Sequence, residues 1–505
     1  MTKIADIERR AYLSAGIAAA LVIVLSTMLA SCGATLPTHD KQIEAASPGV
    51  VFVKKKVDDH FWTSRETPVL EDFPALVDAP IDEVSKYGGW KAKQFDATGF
   101  FHTLKQDGVW WLVDPEGYAF FSVGLNSVEP GVEATSDEAK LSDRFFGTYS
   151  SIEDWADQAE VWLGAQGFNT LGSWSDWRAL NDGKRQQVPY TEQLHLLSHY
   201  AGRDKRSRLG EDFEYHWPQY HVFDPEFAEY CARRMTEIAV RTKDDPYLLG
   251  YFTDNELGLR ANQLERFMAL DVDDPVRIKV VAWLKDNGAA IAPDGSVVVT
   301  HEHRLAFYKY VAETYYSTVA KAVRDADPNH MILGDRFNYD QQDTRALWEI
   351  AGRYVDVFSY NWYVVWDPNE NNDIENWARW SDRPVMITEW YAKGLDTGME
   401  NDTGAGWIVA DQETRGKFYQ TFALGLLDNP NVVGFHWFRY RDNNVDAAHL
   451  VDWSNRDSNK GFLDVDHQAY AALEDRARVI NTRVYAIRDR LIGATRSYIA
   501  QREEK

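Results

Sequence analysis

Residues 246–257 read PYLLGYFTDNEL and residues 384–390 read PVMITEW. Each is a short apolar run that opens on a proline and gives way to polar residues. Such runs, bounded by turn-forming residues, mark strands buried on both faces, as in a parallel sheet. Each also delivers a glutamate just past its apolar core, Glu256 in the first and Glu389 in the second.

Further runs of the same kind alternate with helical segments on either side. Asp107 to Asn126, DGVWWLVDPEGYAFFSVGLN, holds two apolar runs around the turn Asp114-Pro115-Glu116-Gly117. This predicts a hairpin whose second arm, Ala119 to Leu125, is the first strand of the sheet. Phe168 to Leu171 gives a second strand and Gln193 to Leu197 a third. The fourth is Tyr247 to Phe252, the fifth Met331 to Gly334 and the sixth Val355 to Tyr360. Pro384 to Thr388 and Asn431 to Trp437 complete eight. Between them, Asp224-Pro225 reads as a helix cap and first helical residue, with Phe227, Cys231, Met235 and Ile238 at helical spacing. Phe307, Val311, Tyr315, Val319 and Val323 fall four apart on a second helix. Asp411 can cap a third, running to Leu427. Strand–helix alternation over this length predicts an α/β fold, a (β/α)8 TIM barrel over residues 106–490, preceded by a short lead-in, irregular or short-stranded, over 51–105.

Residues 1–31 read as a signal peptide, with Lys3, Arg9 and Arg10 ahead of an apolar run from Ala11 to Leu29. Leu29-Ala30-Ser31-Cys32-Gly33 resembles a bacterial lipoprotein signal, which implies lipid attachment at Cys32 and a tether over 32–50. Gly33, in place of an aspartate, implies sorting to the outer membrane. The competing reading is an uncleaved membrane anchor, since the run is nearly long enough to span a bilayer. The expectation is an exported chain held to a bacterial membrane by its N-terminus. With only Cys32 and Cys231, no disulfide framework or zinc spacing exists, and Cys231 reads as an inert core thiol. The formal charge of −24 argues against a nucleic-acid partner. His301-Glu302-His303 opens a helix with its two rings pointing apart, so no metal site is expected, and no phosphate-binding glycine loop calls for a cofactor.

In a (β/α)8 barrel the functional groups stand at the C-terminal ends of the strands. Glu256 and Glu389 reach those positions independently, after the fourth and seventh strands. Two carboxyls on opposite sides of a barrel mouth suit glycosidic cleavage. One protonates the leaving oxygen, and the other stabilises or attacks the sugar carbon. A separation of about 5–5.5 Å would give double displacement with retention. Repulsion from the ionised partner raises the acid's pKa.

An Asn-Glu pair after strand four and a Glu after strand seven resemble clan A of the glycoside hydrolases, which implies Glu256 as acid/base and Glu389 as nucleophile. Within the clan the wording resembles glycoside hydrolase family 50, the β-agarases. The similar stretches are PYLLGYFTDNEL, DPNHMILGDRF, VDVFSYNWY, RPVMITEWYAKGLDTGM, VVGFHWFRYRDN and GFLDV. They cover most of residues 220–480. Too few residues precede the barrel for the N-terminal β-sandwich usual in that family.

Further residues acquire roles by position. Asn255 would bond the sugar 2-hydroxyl. Arg336, after strand five, would bond a sugar hydroxyl or an ionised glutamate. Asn361 and Tyr363, after strand six, would orient the nucleophile. Trp390, His436 and Trp437 would offer rings to sugar faces, and Asn126 and Trp174 follow strands one and two. The implied activity is retaining hydrolysis of β-linked galactan, agarose or its oligosaccharides. The alternatives are another clan A β-glycosidase, active on β-galactoside, β-glucan or carrageenan, and a non-catalytic glycan-binding lipoprotein.

Overall fold

Leu248–Phe252 is apolar throughout because both of its faces are covered. In the computed structural model it is one of eight parallel strands, which we number β1 to β8. These are β1 (Ser122–Leu125), β2 (Thr170–Leu171), β3 (Tyr190–Gln193), β4 (Leu248–Phe252), β5 (Met331–Ile332), β6 (Phe358–Asn361), β7 (Val385–Glu389) and β8 (Val432–Trp437). The structure describes residues 49–131, 143–183, 185–203, 218–259, 263–293, 296–339, 344–363, 365–443 and 456–503. The expected signal peptide, Cys32 and most of the tether lie outside them.

The strands are hydrogen-bonded in the order β5-β4-β3-β2-β1-β8-β7-β6. Each strand therefore lies beside its neighbour in sequence except β5 and β6, which end the order, and β8 returns to β1. The two end strands are linked just past β5: Phe337 forms a parallel bridge with Tyr360. Phe337 N donates to Ser359 O at 2.9 Å, and Asn361 N donates to Phe337 O at 2.6 Å.

The helices bury one face against this sheet. His301–Ala326 turns Phe307, Val311, Tyr315, Val319 and Val323 inward and is capped by the Thr300 side chain. Pro225–Thr242 begins at the Asp224 cap, whose carboxylate accepts from Glu226 N, and buries Phe227, Cys231, Met235 and Ile238. Gln412–Asp428 is capped by Asp411 and is buried almost all round.

Of the two readings of the lead-in, the short-stranded one describes it. Trp90–Gln94, Tyr118–Phe120, Val109–Val113 and His102–Gln106 form a four-stranded antiparallel sheet in that order. Its Phe101, Trp110, Leu112 and Phe120 share one core with Leu249, Met331, Val357, Met386 and Val433. Those partners sit just before their strands or at the first or second strand residue, and Phe252 and Leu333 carry the same core on to the ends of β4 and β5. The antiparallel sheet therefore covers the N-terminal end of the parallel one and leaves the C-terminal end for function.

Two strand expectations need correction. The run Ala119 to Leu125 is divided, because the backbone at Phe121 bonds sideways: its N donates to Tyr485 Oη at 3.2 Å, and its O accepts from Asn169 Nδ2 at 2.9 Å. The third strand is Tyr190–Gln193, not Gln193 to Leu197. Leu196 and Leu197 are buried, but they begin a helix, Leu196–Arg203, whose first amides are taken by the Asp254 carboxylate.

Candidate active site

Left-handed backbone is rare outside glycine and tends to collect where a site is built. Here Ser127, Trp174, His195, Glu256 and Arg336 all have φ between 51° and 62°. They follow β1, β2, β3, β4 and β5 respectively, each within four residues of the strand end. The chain turns sharply as it leaves each of these strands, which brings side chains over the C-terminal end of the sheet. The turn after β4 is tied to the turn after β5 by Glu256 N, which donates to Asp335 O at 3.1 Å and Arg336 O at 3.3 Å.

Arg336 is the hub. It is fully buried, and its guanidinium lies 4.6 Å from the Trp174 ring centroid and 5.1 Å from that of Phe252. Nε donates to Asn255 Oδ1 at 2.9 Å. Nη1 donates to Ser173 Oγ, and Nη2 donates to Thr388 O and to Glu389 Oε1. The other Glu389 oxygen, Oε2, accepts from the Tyr363 hydroxyl. Burial and the Glu389 charge hold that phenol far above its ordinary pKa, so it stays a donor. Glu389 is thus an ion-paired carboxylate with both oxygens fixed, and it is only 6% exposed.

Glu256 is bound differently. Asn361 Nδ2 donates to its Oε1 at 2.7 Å and also reaches Asn255 Oδ1 at 3.3 Å. Asn361 Oδ1 in turn accepts from Thr388 Oγ1 at 2.8 Å, so one amide joins the β4 turn to the β7 end. Burial, and then the charge of Glu389, push the Glu256 carboxyl up to about 7, while donors from Asn361 and Asn338 and the Arg336 cation pull the other way. The site therefore holds a carboxyl that carries its proton part of the time at neutral pH beside a carboxylate locked in place by a cation and a phenol. That pairing suits a proton donor working next to a nucleophile.

The structure brings Asn255, Glu256, Arg336, Asn361, Tyr363 and Glu389 into one hydrogen-bonded network, with Trp174 stacked on its arginine. Asn126 is adjacent and acts within the scaffold: its Nδ2 donates to Thr388 O at 2.8 Å and Trp437 O at 3.2 Å. The expectation that Trp390, His436 and Trp437 present rings to a sugar is corrected, since all three are 0% exposed. Trp390 stacks on Phe422 at 4.6 Å and meets Trp437 edge-on at 4.9 Å. Trp437 is fastened by Nε1 to Lys460 O at 2.8 Å. His436 points into the sheet interior, where Ser122 Oγ lies 2.8 Å from its Nε2, and the space it fills exists because residue 124 is glycine. Burial drives its pKa down to about 3, so the ring is neutral.

Residues with no expected role also belong here. Ser173 and Thr388 hold Arg336, and His195 Nε2 accepts from Trp174 Nε1 at 3.3 Å. Phe438 meets Trp174 edge-on at 5.9 Å, and Tyr391 meets Tyr363 at 4.8 Å. Strand-end position was the signal that could have found Ser173 and Phe438. His303 instead completes the cap at Thr300, with its Nδ1 3.1 Å from Thr300 N.

No protein-family model matches the sequence. Beta-agarase B of Vibrio sp. (strain JT0107) is 27% identical over 501 residues, covering 80% of this chain and 50% of that protein. Beta-agarase A of the same strain is 27% identical over 465 residues, covering 75% and 45%. The chain spans about half the length of these curated relatives. The solved structure of BpGH50 is 28% identical and matches 90% of this chain and 98% of that one, with a TM-score of 0.75. In sequence and in fold the chain resembles glycoside hydrolase family 50. The agarase AgWH50C shares the family 50 fold at a TM-score of 0.65 and 22% identity, over 81% of this chain and 67% of that one.

Proposed function

We propose that the chain is a retaining glycoside hydrolase that cleaves β-linked galactan, agarose or agaro-oligosaccharides, from a (β/α)8 barrel that closes between β5 and β6. Glu389 attacks the anomeric carbon while Glu256 gives its proton to the departing glycosidic oxygen, and a glycosyl ester forms on Glu389. Glu256, now ionised, takes a proton from water. The water oxygen attacks the same carbon, which frees Glu389 and restores the Glu256 proton. Arg336 and Tyr363 aim the Glu389 oxygens. Asn255 has its Oδ1 engaged by Arg336 and Asn361, so its amide nitrogen is the end left to meet the sugar 2-hydroxyl.

The observation that carries this reading is the contrast between the two carboxyls: Glu389 clamped by Arg336 and Tyr363, Glu256 raised to about 7 partly by its charge. The similarity to the two beta-agarases supports this choice of substrate. We propose further that the chain is exported and lipid-anchored through Cys32. Product analysis with agarose, carrageenan and plain β-galactan, for wild type, Glu256→Gln and Glu389→Gln, tests the assignment. Retained-anomer products from agarose are expected with wild type, and neither variant should turn over. Binding without turnover by wild type would favour a glycan-binding protein.

A further inference from the structure

Gly49–Val53 and Thr63–Thr67 form an antiparallel hairpin. It is joined to the loops that carry the candidate active site. Lys54 and Ile408 exchange backbone hydrogen bonds of 2.9 Å in both directions. Ile408 lies in Trp407–Val409, which pairs in parallel with Ala392–Gly394, a segment that begins three residues past Glu389. On the other arm, Thr67 Oγ1 accepts from Trp366 Nε1 at 3.1 Å, and Trp407 Nε1 donates to Val365 O at 2.8 Å. Val365 and Trp366 follow Tyr363. The hairpin therefore extends from the same strand ends as Asn361, Tyr363 and Glu389.

A hollow of about 270 Å³ is lined by Lys54, Lys55, Phe61, Arg65 and Trp407, among others. Lys55 Nζ stands 5.4 Å and the Arg65 guanidinium 5.0 Å from the Trp407 ring centroid, and Lys54 Nζ is 4.8 Å from that of Trp62. Phe61 is 85% exposed and Trp62 38%. One carboxylate, Asp59, lines the same hollow and accepts from the backbone of Lys55 and Lys56 at 3.1 and 2.9 Å, which leaves three cations, Lys54, Lys55 and Arg65, to one anion in the lining. Arg65 meets Glu370 at 3.5 Å through Nη1, but its Nε is buried with no hydrogen-bond partner among the described residues. Exposed rings beside an excess of cations mark a surface built to be covered. The sign of the charge on a chain of −24 selects an anionic occupant.

We infer that this hairpin is a second saccharide-binding surface. It takes a galactan segment that bears sulfate or carboxylate substituents, with sugar faces on Phe61 and Trp62 and the anionic group held by Lys54, Lys55 and Arg65. The inference rests on the proposal that the chain acts on galactan. A lipid headgroup layer would also meet lysines and aromatic rings. It is the weaker occupant, because the cations line a concavity, which a substituent on a flexible sugar chain can enter and a flat surface cannot.

Affinity electrophoresis of the full chain through gels containing sulfated galactan, with neutral agarose oligosaccharides as the hydrolysis substrate, tests it. Wild type should be retarded by the sulfated polymer, and less so as salt rises. Lys55→Ala and Phe61→Ala should each weaken that retardation by about tenfold, the size of one lost charge-assisted bond or stacking contact. Both should hydrolyse short neutral oligosaccharides like wild type. Phe61 is so exposed that its replacement leaves the fold unchanged. Variants retarded as strongly as wild type would overturn the inference, as would a loss seen only with vesicles of phosphatidylcholine and phosphatidylserine. Patch-dependent binding by a protein that hydrolyses no galactan would refute the proposed function and leave the second surface standing.

Discussion

Replacing Asn361 by alanine isolates the control of the Glu256 proton. The Asn361 amide donates to Glu256 Oε1 at 2.7 Å, a contact that favours the ionised form. Its removal must therefore raise the carboxyl further, above its value of about 7. A hydrogen bond to a charged acceptor contributes about 1.5–3 kcal/mol, and one pKa unit corresponds to about 1.4 kcal/mol, so the full effect is about 1–2 units. Asn338 and Arg336 still act on the carboxyl in the variant, which places the shift near the lower end. The basic limb of kcat/KM against pH reports the acid of the free enzyme. It should stand near neutrality in wild type and move up by about one unit in Asn361→Ala. The rate at the optimum should fall as well, because Thr388 Oγ1 loses its acceptor beside Glu389. A limb that stays in place, or moves to lower pH, would refute the claim that Glu256 is the proton donor held by this amide.

Arg336→Met leaves Glu389 buried without its cation, and unfolding in denaturant should register a loss of about 3–5 kcal/mol. Tyr363→Phe removes one donor to Glu389 and keeps the ring, so kcat should fall about tenfold to a hundredfold with little change in KM or unfolding midpoint. An equal rise in KM would place Tyr363 on the substrate instead. Trp390→Ala opens a cavity among Phe422, Tyr419 and Trp437. It should lower stability by about 3–5 kcal/mol while KM of the folded fraction holds.

The parallel strands were legible where a run was both apolar and bounded, as at Leu248–Phe252 and Val385–Glu389. They were not legible where a tertiary contact decided the outcome. Leu194, Leu196 and Leu197 look like strand residues, but the Asp254 carboxylate draws the following amides into a helix. Phe121 sits inside an apolar run, yet Tyr485 and Asn169 take its backbone and end one sheet there. The site divides in the same way. Strand-end position singled out Glu256, Glu389, Arg336, Asn361 and Tyr363, which the structure joins in one hydrogen-bonded network. It could not separate them from Trp390 and Trp437, which occupy equivalent positions. Whether a ring faces the mouth or the surrounding helix depends on partners such as Phe422 and Tyr419, far along the chain. Where the hairpin before residue 70 docks was not legible, since its pairing with Ile408 spans most of the chain.

The central claim is that Glu389 bonds to the sugar carbon while Glu256 handles the proton. A 2-deoxy-2-fluoro-β-galactoside with a good leaving group slows the second displacement more than the first, and mass spectrometry of the digested protein then locates the sugar. The account predicts a single fluorogalactosyl ester on the peptide carrying Glu389. Label on any other residue, or none during turnover that yields the inverted anomer, would contradict it.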